Sequence, residues 1–170
     1  MNKLNKGERG FTLIELIIAI AIAGLITAGI TFAIMQLLTI NTRASNHMIA
    51  VRQVQQAGKE VSKDTLQAQA VNATGVGQYL TLNLTWDEWG TNQTHTVLYT
   101  LEDMSGNVTK LQREHYIESA LNSTTIVAEY IDPDQTSCIW AGGVLTFNVT
   151  ATVGTQSETR VYEVQPRPGS

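Results

Sequence analysis

The feature that most constrains this chain is one long apolar run near its start. From Phe11 to Ile40 the only ionisable side chain is Glu15. The run covers about 30 residues, roughly 45 Å as an α-helix at 1.5 Å per residue. About 20 such residues are enough to cross the hydrocarbon core of a bilayer. The segment therefore spans a membrane with length to spare, and it carries one carboxylate just inside its start.

The flanks set an orientation. Met1 to Gly10 holds Lys3, Lys6 and Arg9 against a single Glu8, and this positive bias predicts a cytoplasmic N-terminus with everything after the run on the far side. A secretory signal has an apolar region of about 7–15 residues followed by a small-residue cleavage site. Here the run is too long, and the small residue, Gly10, precedes it. A plain signal anchor accounts for the span and the basic flank. It does not account for Gly10 followed by Phe11 and then Glu15.

Gly10-Phe11-Thr12-Leu13-Ile14-Glu15-Leu16 resembles the processing motif of type IV prepilins and of the pseudopilins of type II secretion. The resemblance is sharp over residues 7–30 and only architectural beyond. It implies that a prepilin peptidase of the inner membrane removes the leader, residues 1–10, by cutting after Gly10. The same enzyme would methylate the new N-terminus, Phe11. It implies further that Glu15 serves assembly by pairing with the N-terminal amine of a neighbouring subunit. The physical case is direct: an acidic side chain at the centre of a membrane helix costs about 2.5–3.5 kcal/mol on the insertion scale. Glu15 lies near the end, where water and snorkelling lower that cost. Cleavage would place a positive amine within about one helical turn of it, and a buried charge that stays unpaired is costly enough to favour one register between subunits.

Ala19, Ala21, Ala23, Gly24, Ala28, Gly29 and Ala33 are interspersed through the run, and small residues let membrane helices approach closely. No proline interrupts residues 11–71, and Phe32 stands where many major pilins place one. From Asn41 the chain turns polar, while Met48, Val51, Val54, Ala57, Val61 and Ala68 recur near helical spacing. This predicts an amphipathic continuation of the helix over 41–72, ending about Val71 before Gly75 and Gly77. Gly58 weakens it by roughly 1 kcal/mol relative to alanine. Val51 to Ala70, with Lys63-Asp64 and then Ala68 and Ala70, loosely resembles the J-type pseudopilins and W-type minor pilins.

After Gly77 the hydrophobic period changes to two. Tyr79–Trp86, His95–Leu101, Val108–Ile117, Thr125–Ile131, Gly143–Val153 and Glu158–Val164 read as strands. Asp103–Asn107 reads as a hairpin turn, and Pro166 and Pro168 close the chain. The reading is an α+β, pilin-like fold: a long N-terminal helix, membrane-spanning over 11–40, packed on an antiparallel sheet of five or six strands over 73–165, with a tail at 166–170.

Composition narrows the function. A net charge of −4 and a pI near 5.3 give no cationic field, so nucleic acid is not indicated. Cys138 is the only cysteine, which excludes an intrachain disulfide, and it reads as a small buried hydrophobe. His47, His95 and His115 have no zinc-ligand spacing. Asp132-Pro133-Asp134 and Asp87-Glu88 lack the ligand series of a calcium loop and read as turns. Trp86, Trp89 and Trp140 read as packing residues. Six Asn-x-Ser/Thr triplets, at Asn72, Asn83, Asn92, Asn107, Asn122 and Asn148, carry little weight in a Thr- and Asn-rich chain. No phosphate loop or nucleophile elbow is present, and neither a cofactor nor a catalytic set is expected. The expected function is structural: a minor pilin or pseudopilin, priming or capping a filament tip, held in the inner membrane until an assembly platform draws it among other pilin subunits. A major pilin is the alternative within the family. A membrane-anchored adhesin or binding module, or a tethered enzyme, is the alternative outside it.

Overall fold

A computed structural model describes residues 10–75, 77–104 and 106–166. The basic leader residues Lys3, Lys6, Glu8 and Arg9, the centre of the Asp103–Asn107 turn at Ser105, and Pro168 lie outside the described residues. The chain divides into two compact units, Met1–Thr42 and Arg43–Ser170. Helix α1, Leu13–Gln67, supplies the first unit's secondary structure and opens the second.

In the first unit every described residue is exposed. Phe11, Leu13, Leu25 and Phe32 are among its exposed large side chains. The apolar part of α1 has a mean hydropathy of 2.5 over its best window, with none of that window buried. By length and composition it is the one described helix able to cross a membrane. The hydroxyls of Thr27, Thr31, Thr39 and Thr42 donate to the carbonyls four residues earlier, at 2.8–3.0 Å. A polar group closed in this way needs no water, which suits it to an apolar medium.

The second unit packs the rest of α1 against a sheet. Its buried stripe is Ala50, Val54, Ala57, Gly58, Val61, Asp64 and Thr65. Those positions differ from the expected stripe at one end. Met48 is 66% exposed, because six residues at about 100° each place it about 120° round the helix from Val54. Ala50 takes its place.

Eight strands follow α1: β1 Ala70–Thr74, β2 Thr81–Asp87, β3 Thr94–Asp103, β4 Thr109–Ile117, β5 Ala120–Ile131, β6 Ser137–Ala141, β7 Val144–Val153 and β8 Gln156–Val164. They pair in the order β1-β2-β3-β4-β5-β7-β6, with β8 also on β7, and every pairing is antiparallel. The architecture is α+β, as expected, but two strands exceed the sequence reading. The helix stops at Gln67, short of Val71, and Ala70–Thr74 is a strand. No glycine ends the helix. Instead the Gln69 amide donates to Thr85 O at 2.9 Å, and β1 then zips onto β2 from Ala70↔Thr85 to Thr74↔Thr81. Pairing with a neighbouring strand has overridden local propensity. The second unforeseen strand, β6, joins β7 through Gly142-Gly143 at φ 61° and 81°, the left-handed pair that a tight hairpin requires.

The core follows period two. Leu82 and Leu84 on β2, Val97, Tyr99 and Leu101 on β3, Leu111 on β4, and Leu145, Phe147 and Val149 on β7 form one cluster with the helix stripe. The stripe contributes only two large aliphatics, Val54 and Val61. Each buried methylene stabilises by about 0.8 kcal/mol, so a face built of alanine and glycine gains little from burial. Polar contacts supplement it and fix its register. Tyr162 Oη donates to Val54 O at 3.2 Å, and the Glu129 amide donates to Gln53 Oε1 at 2.9 Å. Gly58 lies directly under the Tyr162 ring, which would overlap any Cβ placed there.

Candidate functional site

The N-terminal end of α1 is built by Thr12 and Glu15. Thr12 precedes the first helical residue, and its Oγ1 accepts from the Glu15 amide at 3.3 Å. Glu15 Oε2 in turn accepts from the Thr12 amide at 2.9 Å and from the Thr12 hydroxyl at 2.8 Å. This is a reciprocal capping box, in which the first and third positions satisfy each other's orphan donors. The pattern Thr-x-x-Glu ahead of an apolar run was open to view in the sequence. It gives Glu15 a partner within its own chain. Gly10 and Phe11 lie outside the helix, Phe11 90% exposed and Gly10 with no described side chain or backbone within 4 Å of where a Cβ would stand.

A second polar assembly sits beneath α1 in the sheet unit, and no local pattern in the sequence announces it. Asp64 is buried, with a side chain 2% exposed, and accepts from Arg113 Nε at 2.7 Å, from Arg113 Nη2 at 3.3 Å and from Tyr99 Oη at 2.6 Å. Register explains the meeting: Tyr99 and Arg113 face each other across β3 and β4. Burial, then the Asp64 charge, pushes the Tyr99 phenol well above its usual range. Burial works against the Arg113 charge, and the bonds to Asp64 outweigh it, so the guanidinium is held above its ordinary value. The group ties helix to sheet; nothing in it is poised to react.

His95 and His115, unremarkable by spacing, are neighbours in space. His95 Nδ1 lies 3.0 Å from His115 Nε2, and Trp86 stacks on His95 with centroids 5.5 Å apart. Trp140 packs against the core, while Trp89 is 95% exposed in the β2–β3 connection. Cys138 is buried, as expected, and burial pushes its thiol up to about 12. Asp132 caps a short 3-10 turn, accepting from the amides of Asp134 and Gln135, so that stretch performs turn chemistry. Among the described residues no three His, Cys, Asp or Glu side chains are grouped to hold a metal. A polar cavity of about 370 Å³ beside that turn contains one titratable side chain, Asp134.

A long N-terminal helix, apolar and exposed in its first part and packed on an antiparallel sheet through its later turns, with an exposed Gly-Phe ahead of a capped helix start, defines an α+β protein of pilin-like architecture. Residues 5–31 match the family model of the prokaryotic N-terminal methylation motif. No curated protein and no solved structure matches the chain. The motif supports a type IV prepilin-like chain: a membrane-anchored, structural subunit of pilin or pseudopilin type, processed by a prepilin peptidase and assembled with other pilin subunits.

Proposed function

We propose that the protein is a minor pilin or pseudopilin whose Gly10–Phe11 bond is cut and whose Phe11 amine is then methylated. The observation that carries this reading is the methylation motif over 5–31 on a helix exposed along its whole apolar part. Contiguous apolar surface of this size is not left in water. Lipid covers it before assembly, and other subunits cover it in a filament. Residues 1–10 are the leader, 11–40 the membrane and filament-core helix, and the sheet unit is displayed outside. The inner-membrane platform would draw the subunit out with its N-terminus still facing the cytoplasm. Repeated head-to-tail contacts generate a filament rather than a closed ring or dimer.

In this reading Glu15 exchanges partners. Its bond to the Thr12 amide holds the carboxylate at the helix start, one residue along the chain from the amine that cleavage would create on Phe11. On assembly the amine of a neighbouring subunit supplies a full charge, which outcompetes a neutral hydroxyl donor. The missing kink proline and the single cysteine favour a minor subunit that primes or caps the tip over a major one. The methylation motif favours a structural role over an enzymatic one.

Mass spectrometry of the mature N-terminus tests the processing: N-methyl-Phe11 is expected, and an intact Met1 in peptidase-competent cells overturns it. Glu15→Ala is expected to insert and be cleaved but to enter filaments poorly. Wild-type incorporation of that variant removes the assembly role, and a subunit making up most of the filament mass refutes the minor assignment.

A further inference from the structure

We propose that the β2–β3 connection, with Trp89 near its tip, docks on the basic outer face of α1 in a second copy of this chain. Trp89 is 95% exposed, yet the loop that carries it is tied down. The Glu88 amide donates to Gln93 O at 2.9 Å, and the Asn92 amide donates to Glu88 O at 3.2 Å. The Thr91 hydroxyl donates to Glu88 Oε2 at 2.8 Å and the Thr94 hydroxyl to Asp87 Oδ1 at 2.8 Å. The Thr94 amide donates to Glu118 Oε1 at 2.7 Å, which fastens the loop to the β4–β5 turn. The loop thus turns its polar groups on itself and its largest apolar side chain outward. An aromatic side chain on an ordered loop loses little freedom on binding, and tryptophan is enriched among the residues that dominate interfaces.

The charges around Trp89 define the occupant. Glu88 adjoins it, and Asp87 and Glu118 stand at the base of the loop, all three exposed. Their partners are hydroxyls, an amide and, for Glu88, His95 at 3.7 Å. Among the described residues none of them meets a lysine or an arginine. A tryptophan face beside carboxylates that no cation neutralises suits a cationic side chain. The complement is on α1. Arg52, Gln56, Lys59 and Lys63 are exposed and recur at spacings of four, three and four, so they share one helix face. Arg52 and Lys59 enter no ion pair among the described residues, and Lys63 meets Glu60 at 3.6 Å with its own side chain 59% exposed. In one copy the two patches lie apart. The loop sits past the C-terminal end of α1, where the Asp87 amide donates to Gln69 Oε1 at 3.3 Å, and that end is about 12 Å along the helix from Lys59. An acidic patch at one height and a basic patch at another form a heterologous contact, which repeats head to tail instead of closing on itself. The inference rests on the filament reading and adds to it a contact that sets the register between neighbouring sheet units.

Disulfide trapping tests the contact, in membrane vesicles from cells that co-express two full-length, differently tagged variants, Gln56→Cys and Gln93→Cys. Both positions are exposed, and the native Cys138 is buried. A mixed dimer is expected on oxidation, with either variant alone giving a tenth of that yield or less. Adding Trp89→Ala or Lys59→Glu should cut the yield at least fivefold. Raising the salt from about 0.05 to 0.5 M should also lower it several-fold, because exposed charges are screened. A mixed dimer no more abundant than that of a Gln56→Cys and Ser157→Cys control pair overturns the contact, as does a yield indifferent to both added substitutions. Mass spectrometry of the N-terminus in the same vesicles keeps the two readings apart. Methylated Phe11 without the mixed dimer removes the contact and leaves the filament reading. The mixed dimer on an unprocessed chain keeps the contact and removes the processing.

Discussion

Removing the Asp64 carboxylate should cost more than any other single change in the sheet unit. Asp64→Ala leaves the Arg113 guanidinium, only 17% exposed, without its counter-charge and leaves the Tyr99 hydroxyl without an acceptor. Breaking a buried pair on one side costs about 3–5 kcal/mol, because an uncompensated charge remains. The helix recovers a little through the better propensity of alanine, about 0.5 kcal/mol. The expected net loss is therefore about 2.5–4.5 kcal/mol. The same logic predicts that replacing the whole group, as Asp64→Leu with Arg113→Met and Tyr99→Phe, recovers most of it, since apolar replacement of a complete buried network is often neutral or stabilising. Urea unfolding of the full chain in detergent, read by tryptophan fluorescence, measures both. Midpoints should move while the m-value stays constant. A single-variant loss below about 1 kcal/mol, the scale of an exposed ion pair, would refute the reasoning. So would a triple variant no more stable than Asp64→Ala.

Gly58→Ala should destabilise by about 1–3 kcal/mol through overpacking against Tyr162, although alanine is the better helix former by about 1 kcal/mol. Combination with Tyr162→Leu should reverse the sign, as the same unfolding assay will show. Ser119→Gly should stabilise by about 0.5–1 kcal/mol, because Glu118 and Ser119 turn the β4–β5 hairpin at φ 49° and 69°; an unchanged midpoint counts against strain there. His115, held low by burial and Arg113, contributes stability that is complete above about pH 6.5 and is lost as pH falls through its folded value. His115→Gln should flatten that acid slope, and an unaltered slope removes the claim. Cys138, buried with its thiol at about 12, should resist maleimide in the native protein and react on unfolding; rapid native labelling would contradict its burial.

What the sequence made legible depended on whether the signal was local. The apolar run, its lone carboxylate and the period-two alternation of Leu82 with Leu84, or of Leu145 with Phe147 and Val149, need only a short window to read. β1 does not: Ala70–Thr74 is a strand because Thr81–Thr85 lies alongside, and nothing within five residues announces it. β6 did carry a signal in Gly142-Gly143, set between Ile139-Trp140 and Val144-Leu145. Gly58 looked like a defect, and only the Tyr162 ring above it shows why a side chain is absent. Asp64, Arg113 and Tyr99 are 49 and 35 positions apart in the chain, so no motif could have gathered them.

The helix start shows how one local motif can hold two kinds of information. Thr12-Leu13-Ile14-Glu15 is a capping box in the isolated chain, which is sufficient reason for Thr and Glu at that spacing in any helix. A cap alone, however, does not require the next 25 or so positions to be uncharged, nor a small residue and an exposed Phe ahead of it. If Glu15 served capping only, Glu15→Gln would keep every acceptor the box uses and would assemble normally. If the carboxylate answers an amine on a neighbouring subunit, Glu15→Gln preserves the helix start but enters filaments as poorly as Glu15→Ala. Helicity by circular dichroism and filament incorporation, measured on the two variants together, separate the cap from the charge. Equal incorporation of Glu15→Gln and wild type would assign Glu15 to the helix start and remove it from assembly.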